Sequence, residues 1–282
     1  MIEVSLSKLY VYPIKSCRGY SVSEIEIAET GLKHDRTFML VDKQTHHFVT
    51  QRTFPQMSLI STEYKLGAIV VRAPGMLRLD LPLDIVGEAM QVSVWQDQVK
   101  AFDMGEVAAH WFSTFLKHAV RLVRFDPEGD RICSRRWTGA QTGKVEFADG
   151  FSLLVMSSAS LAHINQRLEE KAAKPVSMNR FRPNIVLDNL EPFEEDAIDT
   201  LRLGDIVLKF VKPCSRCEIP NIEVETGQMM QEPMMTLASF RSNSKMKGAI
   251  CVGMNAVVIG GAGKSLQTGQ LGTAQIAFGL TE

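Results

Sequence analysis

A series of short apolar segments, each closed by a turn residue, most constrains what this chain can fold into. Five such segments follow one another at short intervals: 59–64, 68–72, 77–81, 90–94 and 99–102. Gly, Pro and Asp residues separate them, and strands of this length with frequent turns are typical of antiparallel sheets and barrels. We therefore predict a mainly β (α+β) fold with a few peripheral helices.

The longest helical pattern covers residues 105–117, where Val107, Trp111 and Phe112 fall on one face. A second helix is predicted after Ser157, because serines at a helix start cap free backbone amides. Between them, residues 126–150 form a long polar segment, which we interpret as the join between two domains. The predicted domains are residues 1–125 and residues 126–282.

The composition excludes several classes of function. The net charge is −1 in 282 residues, which gives no electrostatic reason to bind nucleic acid. No apolar run reaches the roughly 18–20 residues that a membrane span needs, and no signal peptide is evident at the start. Five cysteines are few and odd in number, which favours reduced thiols and a cytoplasmic location.

The densest group of reactive residue types is the segment 212–217, with the sequence Lys-Pro-Cys-Ser-Arg-Cys. It follows an apolar strand pattern, 206–211, and we expect Pro213 to end that strand. Lys212 and Arg216 place positive charge near Cys217, which favours its thiolate. Such a thiolate suits a soft metal, a nucleophile or a redox pair. Half a zinc site, a thioredoxin-like pair and two ordinary buried cysteines remain alternatives.

Basic residues beside turns form candidate anion sites in two other places. Lys15, Ser16 and Arg18 lie in a turn between two strand patterns, where a solvated hairpin is the alternative interpretation. Arg36 immediately precedes an apolar strand pattern, so it is suited either to an ion pair with Asp35 or to a phosphate.

Two further segments could contact a ligand. Arg182 and Asn184 flank Pro183, whose fixed backbone allows both side chains to be aimed at one ligand. The serines between Ser157 and Ser160 open a helix, where amides either bind an anion or are simply capped.

Residues 260–265 resemble a phosphate-binding loop but lack its spacing. The Gly-Lys-Ser step at 263–265 needs a glycine five residues earlier, and Val258 stands there. We therefore predict a surface turn and no nucleotide hydrolysis.

Five segments in order resemble the MOSC-domain proteins, in the branch that contains the mitochondrial amidoxime-reducing component and its bacterial relatives. They are residues 12–17 (YPIKSC), 31–36 (GLKHDR), 157–161 (SSASL), 178–184 (MNRFRPN) and 214–217 (CSRC), with 225–227 (ETG) after the last. The resemblance implies an N-terminal sheet domain and a C-terminal MOSC β-barrel.

The resemblance also implies a molybdenum–molybdopterin cofactor held between the two domains. Cys217 would be the protein ligand to molybdenum and the catalytic residue, with Cys214 a neighbour that is not a ligand. Lys15, Ser16 and Arg36 would bind the pterin phosphate. The rest of the cofactor would be lined by six further residues: Ser157, Ser160, Arg182, Asn184, Ser215 and Arg216. Pyridoxal phosphate binding is a further property associated with the domain.

The activity implied is a molybdenum-dependent oxidoreductase that reduces N-hydroxylated compounds such as hydroxylamines, amidoximes and hydroxylaminopurines. Because no cysteine run for an iron–sulfur cluster is present, we expect electrons from a separate donor, a ferredoxin-like protein or a flavoprotein with a cytochrome b5-like protein. The alternatives are a sulfur carrier with a persulfide on Cys217 and a module that only delivers the cofactor.

Overall fold

The computed structural model describes residues 1–83 and 87–277, and over these residues the chain is built mainly of strands. In chain order the strands are β1 (Ile2–Val11), β2 (Tyr20–Val22), β3 (Glu24–Ala28), β4 (Gly31–Leu32), β5 (Phe38–Asp42), β6 (Ser61–Lys65), β7 (Ala68–Arg72), β8 (Leu79–Pro82), β9 (Ala89–Val94), β10 (Asp97–Asp103), β11 (Val120–Phe125), β12 (Leu153–Ser157), β13 (Ile185–Asp188), β14 (Ile198–Leu203), β15 (Ile206–Ser215), β16 (Ser242–Asn243), β17 (Ala249–Gly260), β18 (Ser265–Gln267) and β19 (Leu271–Ile276).

Helices are few and short in the described part of the chain. The α-helices are α1 (Gly105–Leu116), α2 (Arg135–Thr138), α3 (Ser158–Glu169) and α4 (Met234–Ala238). Short 3-10 turns occupy Pro55–Leu59, Met178–Arg180, Glu194–Ala197, Ile219–Asn221 and Ser244–Met246.

A closed barrel forms the larger part of the fold. Among the described residues its seven strands follow one another in the order β12, β13, β1, β19, β14, β15 and β17, and β17 pairs back with β12. Only β12 and β13 run parallel within this ring. The barrel interior is apolar because alternate strand residues point inward, as Val4, Leu6, Leu201 and Leu208 do. The predicted mainly β fold with a barrel is confirmed.

A second set of strands packs beside the barrel. A four-stranded sheet has the order β5, β11, β10, β9, and a three-stranded sheet joins β6, β7 and β8. Helix α1 buries Trp111 and Phe112 against β11. Val107, which the helical pattern placed on the same face, is 73% exposed, so that part of the prediction is wrong. The buried face of α1 begins at the next residue, Ala108.

Strand β1 connects the two halves of the chain. It pairs with β13 through Leu6 and Leu187, and with β19 through Val4 and Gly272. The first strand is therefore part of the barrel, although it belongs to the N-terminal segment of the sequence. The division between residues 125 and 126 remains a prediction.

Pro213 does not end its strand as predicted, because β15 continues to Ser215. The pairing of β15 with β17 shifts register on both sides of Pro213, between Phe210 and Lys212 and again between Pro213 and Ser215. Beyond Lys209, moreover, β15 no longer pairs with β14. Proline is tolerated at such edges and irregularities because no ladder hydrogen bond from its nitrogen is needed there.

The glycine-rich segment after β17 is a turn, as predicted. Strand β17 ends at Gly260 and β18 begins at Ser265, with exposed residues between them. Gly261 has φ of +81°, and a Cβ there would lie 2.6 Å from the Cα of Ile206. The glycine thus serves close backbone packing at the turn.

Candidate active site

The end of β15 projects three polar side chains into a cavity of about 540 Å³, a size typical of small-molecule sites. They belong to Ser215, Arg216 and Cys217. The Cys217 thiol is free and exposed. The backbone N–H of Arg216 donates to the carbonyl of Ile250 at 2.8 Å, which anchors this segment to β17.

The Arg216 side chain lines the cavity and is held there by neighbouring acceptors. Its Nη2 donates to the carbonyl oxygen of Phe181 at 2.7 Å, and its Nη1 lies 3.1 Å from the Cys214 sulfur. Its Nε is buried and has no hydrogen-bond partner. A buried donor without an acceptor is costly to the fold.

Arg18, from the turn after β1, lies outside this cavity and pairs with Glu225 at 2.6 Å.

Lys15 and Ser16 reach the cavity from the same turn. The Lys15 ammonium donates to the carbonyl of Phe147 at 2.7 Å and to Asp149 Oδ1 at 2.5 Å. Burial lowers the pKa of Lys15. Desolvation by the surrounding protein atoms would raise the pKa of Asp149, but the Lys15 ammonium holds it well below its usual range.

Arg36 is held in place by three acceptors around its guanidinium. It forms an ion pair with Asp35, and its Nη1 also donates to Asn184 Oδ1 at 3.0 Å. Its Nη2 donates to the carbonyl of Arg182 at 3.2 Å. The backbone N–H of Tyr12 fixes Asp35 in turn, at 2.8 Å from Oδ1. The ion pair predicted for Arg36 is thus present, and its side chain still lines the cavity.

Three of the predicted binding residues have left-handed backbone conformations. The φ angles are 65° at Ser16, 55° at Arg36 and 58° at Arg182. Such angles are uncommon outside glycine and cost about 1 kcal/mol or more each. Hydrogen bonds hold them: Gln51 Nε2 donates to the Ser16 carbonyl at 2.7 Å, and Arg36 donates from its backbone to Tyr12 at 2.8 Å. Strain of this kind is concentrated at ligand sites.

The charges that line the cavity are almost all positive. Six cations, Lys15, Arg36, Arg52, Arg182, Lys212 and Arg216, face one carboxylate, Asp149, which gives a net charge of +5. Over residues 1–83 and 87–277, four of these cations make no ion pair with a carboxylate: Arg52, Arg182, Lys212 and Arg216. Cations gathered without counter-ions are costly, so the cavity is suited to an anionic ligand.

Eight of the ten site residues predicted from the sequence line this cavity. They are Lys15, Ser16, Arg36, Arg182, Asn184, Ser215, Arg216 and Cys217. The structure brings them together from four separate segments of the chain, although their roles toward a cofactor remain a prediction.

Ser157 and Ser160 do not line the cavity. Both are fully buried, and both hydroxyls donate to Glu195 Oε2, at 2.9 and 2.7 Å. Ser157 also caps α3, accepting from the Ser160 amide at 3.0 Å. Burial raises the pKa of Glu195. The two serines thus belong to a closed internal network, and helix capping is the interpretation that the geometry supports.

Sequence reasoning missed several cavity residues, most of which come from loops with no motif of their own. The missed residues are Thr50, Arg52, Trp95, Asp149, Phe151 and Asn255. Arg52 stacks over the Trp95 ring at 4.6 Å, and Trp95 Nε1 donates to Asp149 Oδ1 at 3.1 Å. The one signal available in the sequence was Trp95, a tryptophan in a polar turn between two strand patterns.

No group of three or more His, Cys, Asp or Glu side chains that could hold a metal ion occurs in the described ranges 1–83 and 87–277. A metal whose other ligands come from an organic cofactor needs only one protein thiolate. Across the same ranges, none of the helices has the length and apolar character to cross a bilayer.

Comparison with known proteins gives consistent results over most of the chain. Residues 3–119 match the family described as the MOSC N-terminal beta barrel domain, and residues 142–271 match the MOSC domain. Mitochondrial amidoxime reducing component 2 from Bos taurus is 37% identical over 247 residues, covering 84% of this chain and 72% of that protein.

Two other relatives extend the comparison. Mitochondrial amidoxime reducing component 2 from Homo sapiens is 38% identical over 247 residues, with 84% of this chain and 72% of that protein covered. Molybdenum cofactor sulfurase from Oryza sativa subsp. japonica is 29% identical over 280 residues, covering 89% of this chain and 32% of that protein.

Proposed function

Because the chain belongs to the MOSC-domain family, with amidoxime-reducing components among its relatives, we propose that it is a molybdenum-dependent reductase of N-hydroxylated compounds. The observation that carries the proposal is the cavity itself, where a free thiol at a strand end faces six cations and one carboxylate. The reaction would convert an N–OH group to N–H with two electrons and two protons, and release water.

The residues of the cavity fit a molybdopterin-type cofactor. A phosphate dianion requires cations and hydroxyls, and Lys15, Ser16, Arg36 and Arg182 supply them on one side of the cavity. Arg216 lines the cavity, and its guanidinium is the kind of N–H donor that a polar heterocycle accepts from. We propose that Asn184, Ser215 and Arg216 hold the pterin, and that Cys217 ligates molybdenum as a soft thiolate.

When bound, the molybdenum centre would supply the two-electron chemistry that protein side chains lack. The chain's own residues bind and orient. Asn184 is fixed from three sides, because its Oδ1 accepts from Arg36 at 3.0 Å and from the Leu154 amide at 3.1 Å while its Nδ2 donates to the Tyr10 carbonyl at 3.3 Å. Such rigid placement keeps the cofactor orientation constant between turnovers.

Several finer points of the proposal rest on the family alone. A separate protein is proposed as the electron donor. The cytoplasmic location and pyridoxal phosphate binding stay predictions, and the relatives are named as mitochondrial proteins. Ser157 and Ser160 receive no support from the geometry as cofactor contacts.

The test is to purify the protein with its cofactor and assay an aromatic amidoxime and a hydroxylamine with a chemical reductant. Wild-type protein should contain molybdenum, give the fluorescence of oxidised pterin and reduce both compounds. Cys217→Ala should lose molybdenum and activity while keeping its thermal unfolding temperature, because the exposed Cys217 side chain supports no packing.

Cys214→Ala is the matched variant, because it removes a neighbouring thiol that is not proposed as a ligand and should keep molybdenum. Unchanged reduction by Cys217→Ala would contradict the proposal. So would sulfane sulfur on Cys217 without any bound pterin, which would indicate a sulfur carrier.

A further inference from the structure

Lys212 is a cavity cation that the proposed cofactor site does not use. It is half-buried, and its ammonium lies 5.2 Å from the ring centroid of Trp137 and 5.8 Å from that of Phe151. Asn255 Nδ2 donates to its backbone carbonyl at 3.2 Å, which fixes this part of β15. No carboxylate in the described part of the chain pairs with it.

More positive charge lies next to Lys212. Helix α2 packs against β15 and presents Arg135 and Arg136 as exposed side chains, neither of which forms an ion pair within the described residues. The Arg136 guanidinium lies 5.7 Å from the Trp137 ring. Cations, a tryptophan and a phenylalanine therefore adjoin one side of the cavity, at some distance in sequence from Lys15 and Arg36.

An ammonium group beside aromatic rings favours a particular kind of ligand. An ammonium against ring faces is partly desolvated, so its attraction for an anion is stronger than in open water. Ring faces offer stacking surface to a planar heterocycle. A ligand that suits both has a flat aromatic ring and an anionic group attached to it.

We propose that Lys212, Trp137 and Phe151, with Arg135 and Arg136 beside them, form a substrate subsite for the anionic group of N-hydroxylated nucleoside monophosphates. The inference rests on the proposed function and names its substrate class. The phosphate binds at Lys212, and the base lies against the Phe151 ring with its N–OH group toward Cys217, since both residues line the same cavity. The protein then acts on nucleotides in preference to free bases.

The test compares two substrates and a non-reactive ligand. The substrates are an N-hydroxylated adenine as free base and as its nucleoside 5′-monophosphate, and the ligand is AMP, whose binding is measured by calorimetry. Wild-type protein should favour the nucleotide in kcat/KM. Lys212→Met keeps the apolar stem but loses the charge, and should lower the ratio of kcat/KM for the nucleotide to kcat/KM for the free base about tenfold or more.

Two further variants complete the design. Lys212→Arg keeps a cation and should retain most of the preference. Lys65→Met is the matched control, because Lys65 is an exposed lysine of β6 outside the cavity. It should change neither the nucleotide-to-base ratio of kcat/KM nor the affinity for AMP. AMP binding should weaken in Lys212→Met by about the same factor as kcat/KM, with equal molybdenum content in all proteins.

Three outcomes would overturn the inference. Equal kcat/KM for base and nucleotide in wild type and Lys212→Met would contradict the proposed subsite while leaving the proposed function intact. Failure of molybdenum-loaded wild type to reduce either compound would overturn the proposed function, and the substrate subsite with it. If Lys212→Met slows both substrates with a protein donor but neither with a chemical reductant, the surface instead docks the donor.

Discussion

Arg36 and Arg182 lie over the same aromatic ring, with their guanidinium carbons 4.3 and 4.4 Å from the ring centroid of Tyr12. Arg36 has a carboxylate partner in Asp35, whereas within the described residues the Arg182 side chain donates only to the carbonyl of Cys17, at 2.8 Å. Burial, and next the Arg36 cation, lower the pKa of Arg182 to about 10. Two like charges held this close destabilise the fold unless an anion joins them.

The first prediction concerns Arg182→Gln. Removing the uncompensated cation should raise the free energy of unfolding of cofactor-free protein by about 1–2 kcal/mol. The same variant should lose most of its bound molybdenum, because the phosphate loses a cation. Denaturant unfolding and elemental analysis measure the two effects.

The stability gained by Arg182→Gln should change with pH in one direction. Because the folded-state pKa of Arg182 is lowered, the cost of its charge is fully present below about pH 10 and is relieved as the pH rises through that value. The stability advantage of Arg182→Gln should therefore be constant near neutral pH and shrink above pH 10. A variant less stable than wild type at pH 7 would contradict the prediction.

The second prediction concerns Asp149, the carboxylate of the cavity lining. Asp149→Asn leaves the Lys15 ammonium without its counter-ion and should destabilise cofactor-free protein by about 0.5–1 kcal/mol, a modest loss because the Asp149 side chain is 68% exposed. Binding of inorganic phosphate should become tighter, because the carboxylate no longer competes for Lys15. Thermal unfolding and calorimetry at low salt measure the two effects.

The Asp149 effect should also depend on pH. The carboxyl pKa is held below its usual range, so the stability it contributes is present above about pH 4 and is lost as the pH falls further. The difference between wild type and Asp149→Asn should thus disappear in strong acid. Asp205→Asn, which changes a carboxylate whose side chain is 79% exposed, is the control and should show neither effect.

The third prediction separates structure from binding at Ser160. Ser160 Oγ donates to Glu195 at 2.7 Å and accepts from the Phe193 amide at 2.7 Å, so Ser160→Ala leaves buried polar groups unpaired. We expect a loss of about 1–3 kcal/mol in unfolding free energy with unchanged molybdenum content.

The neighbouring Ser158 is the matched control for Ser160. Its side chain is exposed and bonds to Asp188, so Ser158→Ala should stay within about 0.5 kcal/mol of wild type. Loss of molybdenum from Ser160→Ala at unchanged stability would restore the role that the sequence suggested for this serine.

Local sequence patterns predicted many of the elements of the fold. Period-two alternation predicts the strands, the apolar face with Trp111 and Phe112 predicts α1, and Ser157 marks the start of α3. Each of these signals acts within a few residues, because side-chain periodicity and capping are properties of neighbouring backbone. Five short motifs, in their order along the chain, also indicated the family and eight of the residues that line the cavity.

What the sequence alone determined, then, is a β-rich chain with a thiol beyond an apolar strand and basic groups at turns. Only the tertiary structure decided that Lys15 meets Asp149 across 134 residues, that Arg182 faces Arg36, and that Ser160 turns to Glu195 instead of the cavity. The physical reason is that these pairings are set by barrel closure and by left-handed backbone at non-glycine residues. Neither leaves a periodic trace in the sequence, since both depend on the packing of segments far apart in the chain.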